Sequence, residues 1–196
     1  MTWVIVGLGN PGEEYKGTRH SVGRMALEQF AKDNEFSTWK EDKRTVATVS
    51  KGAVGKNLGA LVLPDTFMNK SGAAVSKYVK SLKAAERMIV VYDDLDLPLG
   101  TIKVSFNRGS GGHKGLESVT RAIKTKEFAR VRIGISPKSA AGKIKKPQGE
   151  EDVAEFILAR FKESEQSDLK KVLKEASKAI TTIITDGYMV AMNHFN

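Results

Sequence analysis

The chain has no cysteine in 196 residues, which removes disulfides, cysteine nucleophiles and thiolate metal sites together. Histidine is scarce: His20, His113 and His194 are the three present, so a histidine-based reaction has few candidates for its base. There is no G-x-S-x-G stretch, so that route to a serine nucleophile is missing as well. No apolar run approaches the length of a membrane span. The opening Thr2-Trp3-Val4-Ile5 reads as the start of a strand, not as the basic and apolar regions of a signal peptide. No repeat and no linker divides the sequence. The expectation is one cytoplasmic domain over residues 1–196.

What is present in excess is positive charge. Lysine and arginine total 32 against 23 acids, a formal charge of +9 on a chain that is 40% hydrophobic. That excess suits an anionic partner such as nucleic acid, since clustered cations gain affinity by releasing phosphate counterions. Short apolar runs predict strands at 3–7, 45–50, 59–63, 88–93, 101–106 and 131–135. Apolar residues at helical spacing predict helices over Val22–Phe30, Val75–Leu82, Leu116–Ile123, Ala154–Phe161 and Leu169–Ile183. The alternation predicts an α/β fold, three-layered α/β/α, with a twisted mixed sheet. Residues 136–152, SPKSAAGKIKKPQGEED, read as a mobile basic loop.

Residues 7–12, Gly-Leu-Gly-Asn-Pro-Gly, fit the G-x-G-x-x-G pattern of dinucleotide sites. In such sites a helix starts inside the motif and points its N-terminus at the pyrophosphate. Here helical periodicity resumes only near Val22, and Glu13 and Glu14 would repel phosphate. Asp33 and Glu35 fall near the spacing of a ribose-binding acid, but they follow the helix and not a second strand. The pattern therefore does not mark a dinucleotide enzyme.

Three polar residues follow strand candidates: Asn10 after 3–7, Asn69 after 59–63, and Asp93 at the end of 88–93. If those strands are parallel, the three converge at one carboxyl edge, where open α/β sheets place their sites, and His20 reaches the same crevice. The alternative is that each residue caps a helix or shapes a turn. As a set they suit hydrolysis by water. The histidine takes a proton, the carboxylate fixes its tautomer, and the amides bind a carbonyl or its oxyanion. His113 lies in NRGSGGHKGLES, a loop that would either hold an anion at the helix start or simply connect and cap. His194 has no evident chemical role. The acids of YDDLDLPLG lack metal-ligand spacing, and a turn before Pro98 accounts for Asp94 and Asp96; no metal is expected.

GLGNPGEEYKGTRHSVG, FMNKSG, YDDLDLPLG, GSGGHKGLES and RVRIGI, in this order and spacing, closely resemble bacterial-type peptidyl-tRNA hydrolase, over residues 3 to about 161. The resemblance implies hydrolysis of the ester between a peptide and the terminal ribose of tRNA, by a monomer that needs no cofactor. It implies His20 as general base, Asp93 as the group that holds it, and Asn10 beside the ester. It implies substrate contacts from Tyr15, Phe67, Met68, Asn69, His113 and Lys114. It also implies a basic clamp on the 5′ phosphate and acceptor stem, with Arg132 as one arm. Ser105 stands where the other arm is a lysine, and Lys103 or Arg108 would substitute. Residues 136–160 would form a lid, with Lys138, Lys143, Lys145 and Lys146 facing the phosphate backbone.

Two positions depart from the pattern: Ser21 and Lys114 each replace an asparagine. Lysine donates but cannot accept a hydrogen bond, so Lys114 cannot orient water as an amide does. Its charge is expected to lower the pKa of His20. The rival reading is a splicing-factor-like RNA-binding module on the same fold, which would not need His20, Asn10, Asn69 and Asp93 together.

Overall fold

The structure, a computed structural model, describes residues 2–139 and 143–196. One seven-stranded sheet runs through it: β1 (Trp3–Gly7), β2 (Lys40–Asp42), β3 (Ala47–Val54), β4 (Asn57–Pro64), β5 (Met88–Pro98), β6 (Ile102–Phe106) and β7 (Ala129–Ser136). The order across the sheet is β2-β3-β4-β1-β5-β7-β6. The four central strands β4, β1, β5 and β7 are mutually parallel, and β2, β3 and β6 run antiparallel to their neighbours. The helices are α1 (Val22–Asp33), α2 (Ser71–Val75), α3 (Leu82–Ala85), α4 (Lys114–Ile123), α5 (Glu150–Leu158), α6 (Gln166–Asp186) and α7 (Tyr188–Phe195). None is long and apolar enough to cross a membrane, among the described residues.

Alternation along the central strands builds two cores. Ile5, Leu61, Ile89 and Val91 face one way, onto Val22, Leu27 and Phe30 of α1 and Val172, Ala176 and Ile180 of α6. Val4, Val6, Val62, Val90 and Tyr92 face the other, onto Val75, Leu116 and Val119. Each wholly buried side chain of this size contributes about 1.5–3 kcal/mol. The result is the α/β/α sandwich that the alternation of elements implied.

Several elements depart from the sequence reading, each for a physical reason. The helix expected over 75–82 occupies 71–75 and breaks. Tyr78 is drawn away to bond Thr45 and Asp42, and Ser81 starts α3 by accepting from the amide of Ala84. The strand expected to end at Asp93 continues to Pro98 with an irregular register against β7, so Asp94 and Asp96 lie on a strand extension and not in a turn. The helix expected at 154–161 runs over 150–158, with Glu150, Glu151 and Asp152 in its first turn, where the helix dipole favours acids. Strand β2 is Lys-Glu-Asp, a charged edge that no apolar pattern reveals. Helix α7 is apolar almost all round and follows α6 after Gly187 alone, so it has no amphipathic period to read.

Part of the basic stretch 136–152, residues 140–142, lies outside the described residues. Its flanks pair, with a bridge between Lys138 and Ile144 and the amide of Lys145 donating to Pro137.

Candidate active site

The parallel pairing of β4, β1 and β5 brings their carboxyl ends to one edge, where a groove of about 620 Å³ opens. Asn10, His20, Phe67, Met68, Asn69, Asp93, His113, Lys114 and Arg132 all line it. Tyr15 lies outside the lining, edge-on to the exposed Phe67 ring with centroids 6.4 Å apart. Lys103 is exposed on β6, opposite Arg132 in the strand register and also outside the groove.

The glycine loop positions the histidine. Residues Arg19–Ser21 form one 3-10 turn that leads into α1. Gly23 lets this end of α1 sit against the strands, since a Cβ there would strike the carbonyl oxygens of Val91 and Leu8. Gly12 holds the chain at φ 106°, a conformation that glycine adopts freely. Of the G-x-G-x-x-G glycines, Gly7 and Gly9 serve close packing and Gly12 leads into a single 3-10 turn at Glu13–Tyr15, with no α-helix starting among them.

His20 Nδ1 lies 2.9 Å from both carboxylate oxygens of Asp93, and both residues are buried. His113 Nε2 lies 3.0 Å from Asp93 Oδ1, while its Nδ1 accepts the amide of Leu116. That second bond fixes His113: Nδ1 is the acceptor, so Nε2 carries the proton and donates to Asp93. One carboxylate therefore receives two imidazoles, whose ring centroids are 4.9 Å apart. The pairing of Asp93 with His113 was not legible in the sequence, where His113 read only as part of a glycine loop.

The electrostatics follow from this arrangement. Burial disfavours the charged form of Asp93, but His20 and His113 outweigh it and hold the carboxyl far below its usual range. Burial likewise pulls the His20 ring down, yet the charge and hydrogen bond of Asp93 outweigh it, so its pKa lies above 6.5. The net shift is upward, set by Asp93 and not by Lys114. Lys114 is an exposed residue at the start of α4, whereas Asp93 touches the ring.

Asn10 is oriented by its carbonyl, which accepts the amide of Met68 at 2.8 Å. Its NH2 group is left to donate. Gly115 allows Met68 and His113 to pack against α4, since a Cβ there would strike the methionine sulfur. Arg132 donates to Asp94 at 2.7 Å, and Lys146 to Asp96 at 2.6 Å. These acids, read as turn residues, thus fix two of the groove's cations. Ser105 is buried, with no partner for its hydroxyl among the described residues.

His20, Asp93 and His113 also offer ligand atoms within 4.8 Å of one another, the one such group among the described residues. The fit to a metal is poor. Coordination by His113 Nε2 would require its proton to move to Nδ1 and break the bond that caps α4. The short nitrogen–oxygen contacts are those of hydrogen bonds.

Comparison with known proteins adds to this geometry. Residues 4–196 match the family model described as peptidyl-tRNA hydrolase. A peptidyl-tRNA hydrolase of Alkaliphilus oremlandii is 38% identical over 98% of each chain. That of Pseudothermotoga lettingae is 41% identical over 98% of this chain and 96% of its own. The crystal structure of peptidyl-tRNA hydrolase from Acinetobacter baumannii superposes with a TM-score of 0.87 at 32% identity, covering 100% of this chain and 94% of that one. By sequence over almost its whole length and by fold, this chain belongs to the peptidyl-tRNA hydrolase family.

Proposed function

We propose that this chain hydrolyses the ester joining a peptide to the terminal ribose of tRNA, with water as nucleophile and His20 as general base. The observation that carries the reading is the bond from His20 Nδ1 to the buried Asp93. With its proton on Nδ1, the neutral ring offers the lone pair of Nε2 to water. His20 takes one proton as the oxygen attacks the ester carbon, and Asp93 stabilises the imidazolium so formed. The NH2 of Asn10 donates to the substrate carbonyl as its oxygen gains charge. Collapse breaks the ester bond, and the imidazolium returns its proton to the departing ribose oxygen. His113 donates to Oδ1 of the same carboxylate and leaves the ring of His20 as the base.

Substrate contacts are assigned to Phe67, Met68, Asn69 and Lys114 within the groove, with Tyr15 backing Phe67. The tRNA acceptor stem and 5′ phosphate are assigned to the cations around it. Arg132 and Lys146 are held ready by Asp94 and Asp96, Arg108 also lines the groove, and Lys103 extends the charge outside it. Residues 136–160 act as the lid. The enzyme works as a cytoplasmic monomer without a metal or cofactor. The binding-module alternative gives no use to a buried carboxylate shared by two imidazoles.

The test is incubation of the purified protein with N-acetyl-aminoacyl-tRNA. Release of acetylated amino acid is expected, and intact substrate after prolonged incubation would sink the proposal. Affinity for tRNA should fall steeply with salt, whereas a short peptidyl-adenosine, which lacks the acceptor stem, should show a shallow slope. Equal slopes for the two substrates would refute the division between phosphate and ester recognition.

Lys114 has a smaller effect than the base. Lys114→Asn should raise KM about 2–5-fold, the size of one solvent-screened charge contact, with kcat little changed. A gain in kcat of orders of magnitude would mean that the lysine impairs the enzyme.

A further inference from the structure

Arg19 precedes the proposed base, and its side chain turns away from the groove. It is buried, at 3% exposure. Its Nη2 meets Glu165 Oε2 at 2.7 Å, and its Nη1 donates to the carbonyls of Arg160 at 2.7 Å and Ala159 at 3.3 Å. The guanidinium lies over two rings, 4.6 Å from the centroid of Phe156 and 5.1 Å from that of Phe161. Its backbone joins the same clamp, since the amide of Arg19 donates to Ala159 and Thr18 bridges to Arg160. Phe156 lies in α5, Ala159 and Arg160 follow it directly, and Phe161 and Glu165 lie on the segment that joins α5 to α6; Val153 and Ile157 of α5 line the groove.

Helix α5 needs such a hold. It has no buried residue and packs on the body through the partly buried Phe156 and Ile157. A planar guanidinium can bond a carboxylate and two carbonyls while stacking between rings, which an ammonium cannot do. The turn Arg19–Ser21 is short, so a shift at Arg19 moves the His20 ring against Asp93.

We infer that Arg19 is a positioning residue that ties α5, over the groove, to the imidazole of His20. Arg19 acts through His20 and touches no reacting atom. Where α5 seats correctly, the turn is fixed and Nδ1 faces the carboxylate. Where the clamp is broken, the ring loosens from Asp93 and α5 from the groove together. The catalytic part of this inference rests on the hydrolase reading; the structural part does not.

The test compares Arg19→Gln, Arg19→Lys and Glu165→Gln with the wild-type protein on N-acetyl-aminoacyl-tRNA, with the His20 titration followed by NMR. Arg19→Gln should lower kcat about 10–100-fold, the scale of a misplaced catalytic group, with KM changed less than about threefold. The His20 pKa and the pH inflection of kcat/KM should both fall, because the ring loses part of its hold on Asp93. Glu165→Gln should shift both in the same direction by less, and Arg19→Lys should fall between. Folded variants with wild-type kcat and an unmoved His20 titration would overturn the inference and leave Arg19 a structural staple. If Arg19→Gln does not fold, Glu165→Gln and Arg19→Lys decide on the same readouts. Absence of hydrolysis by the wild type would sink the hydrolase reading alone, since the NMR shift still reports on the clamp.

Discussion

His20→Ala should lower kcat on N-acetyl-aminoacyl-tRNA by about 10²–10⁴-fold, the range for loss of a positioned general base. The histidine is buried, and its Nδ1 is held by Asp93, so Nε2 is the nitrogen left to accept a proton. His113 is the nearest imidazole, but both its nitrogens are engaged, one donating to Asp93 and one accepting from Leu116. KM should change little, because the proposed substrate contacts lie on Phe67, Asn69 and the surrounding cations. A variant retaining more than about a tenth of wild-type kcat would remove His20 from the mechanism. The wild-type kcat/KM should rise with pH through an inflection above 6.5, because Asp93 favours the protonated ring and only the neutral ring accepts a proton.

Asp93→Asn should cost nearly as much, about 10²–10⁴-fold in kcat, for a different reason. The carboxylate offers His20 Nδ1 two acceptor oxygens, each at 2.9 Å, whereas an amide replaces one of them with a donor. His113 is locked as an Nε2 donor by the amide of Leu116, so it claims the amide oxygen. The NH2 then faces His20 Nδ1, which can accept only if the ring's proton moves to Nε2. That places a hydrogen where water needs a lone pair. The pH inflection of the residual activity should fall below that of the wild type, because burial of the ring persists without the opposing charge. The stability difference between the two proteins should also depend on pH. The raised pKa of His20 contributes stability fully present below 6.5 and lost as pH rises through the folded value. The depressed pKa of Asp93 contributes stability present above 3.8 and lost as pH falls. Urea unfolding at ~pH 5.5 and ~pH 8 should therefore show a wider gap at the lower pH. A gap that does not narrow toward pH 8 would contradict the ion-pair account.

Some of this site was legible before any coordinates. Asn10, Asn69 and Asp93 each follow an apolar run, and parallel strands deliver such residues to one edge. Other parts were not. The spacing Val75, Tyr78, Val79 is helical in sequence, but hydrogen bonds from Tyr78 to Thr45 and Asp42 take that segment out of the helix. Asp94 and Asp96 read as turn residues because their partners, Arg132 and Lys146, lie 38 and 50 positions away. The orientation of Asn10 depends on the amide of Met68, and nothing at position 10 indicates which end of its side chain is free.

The sequence by itself determined the layer architecture, the sheet edge where Asn10, His20, Asn69 and Asp93 meet, and the family. All three rest on local periodicity and on short motifs, which need only neighbours along the chain. The tertiary structure alone decided how the protons are arranged. It gave Asp93 two imidazoles, fixed the tautomer of His113 through a helix cap, raised His20 above its ordinary pKa and buried Arg19 against Phe156 of α5. Those properties depend on distances between residues remote in the chain and on the exclusion of water around them, and periodicity records neither.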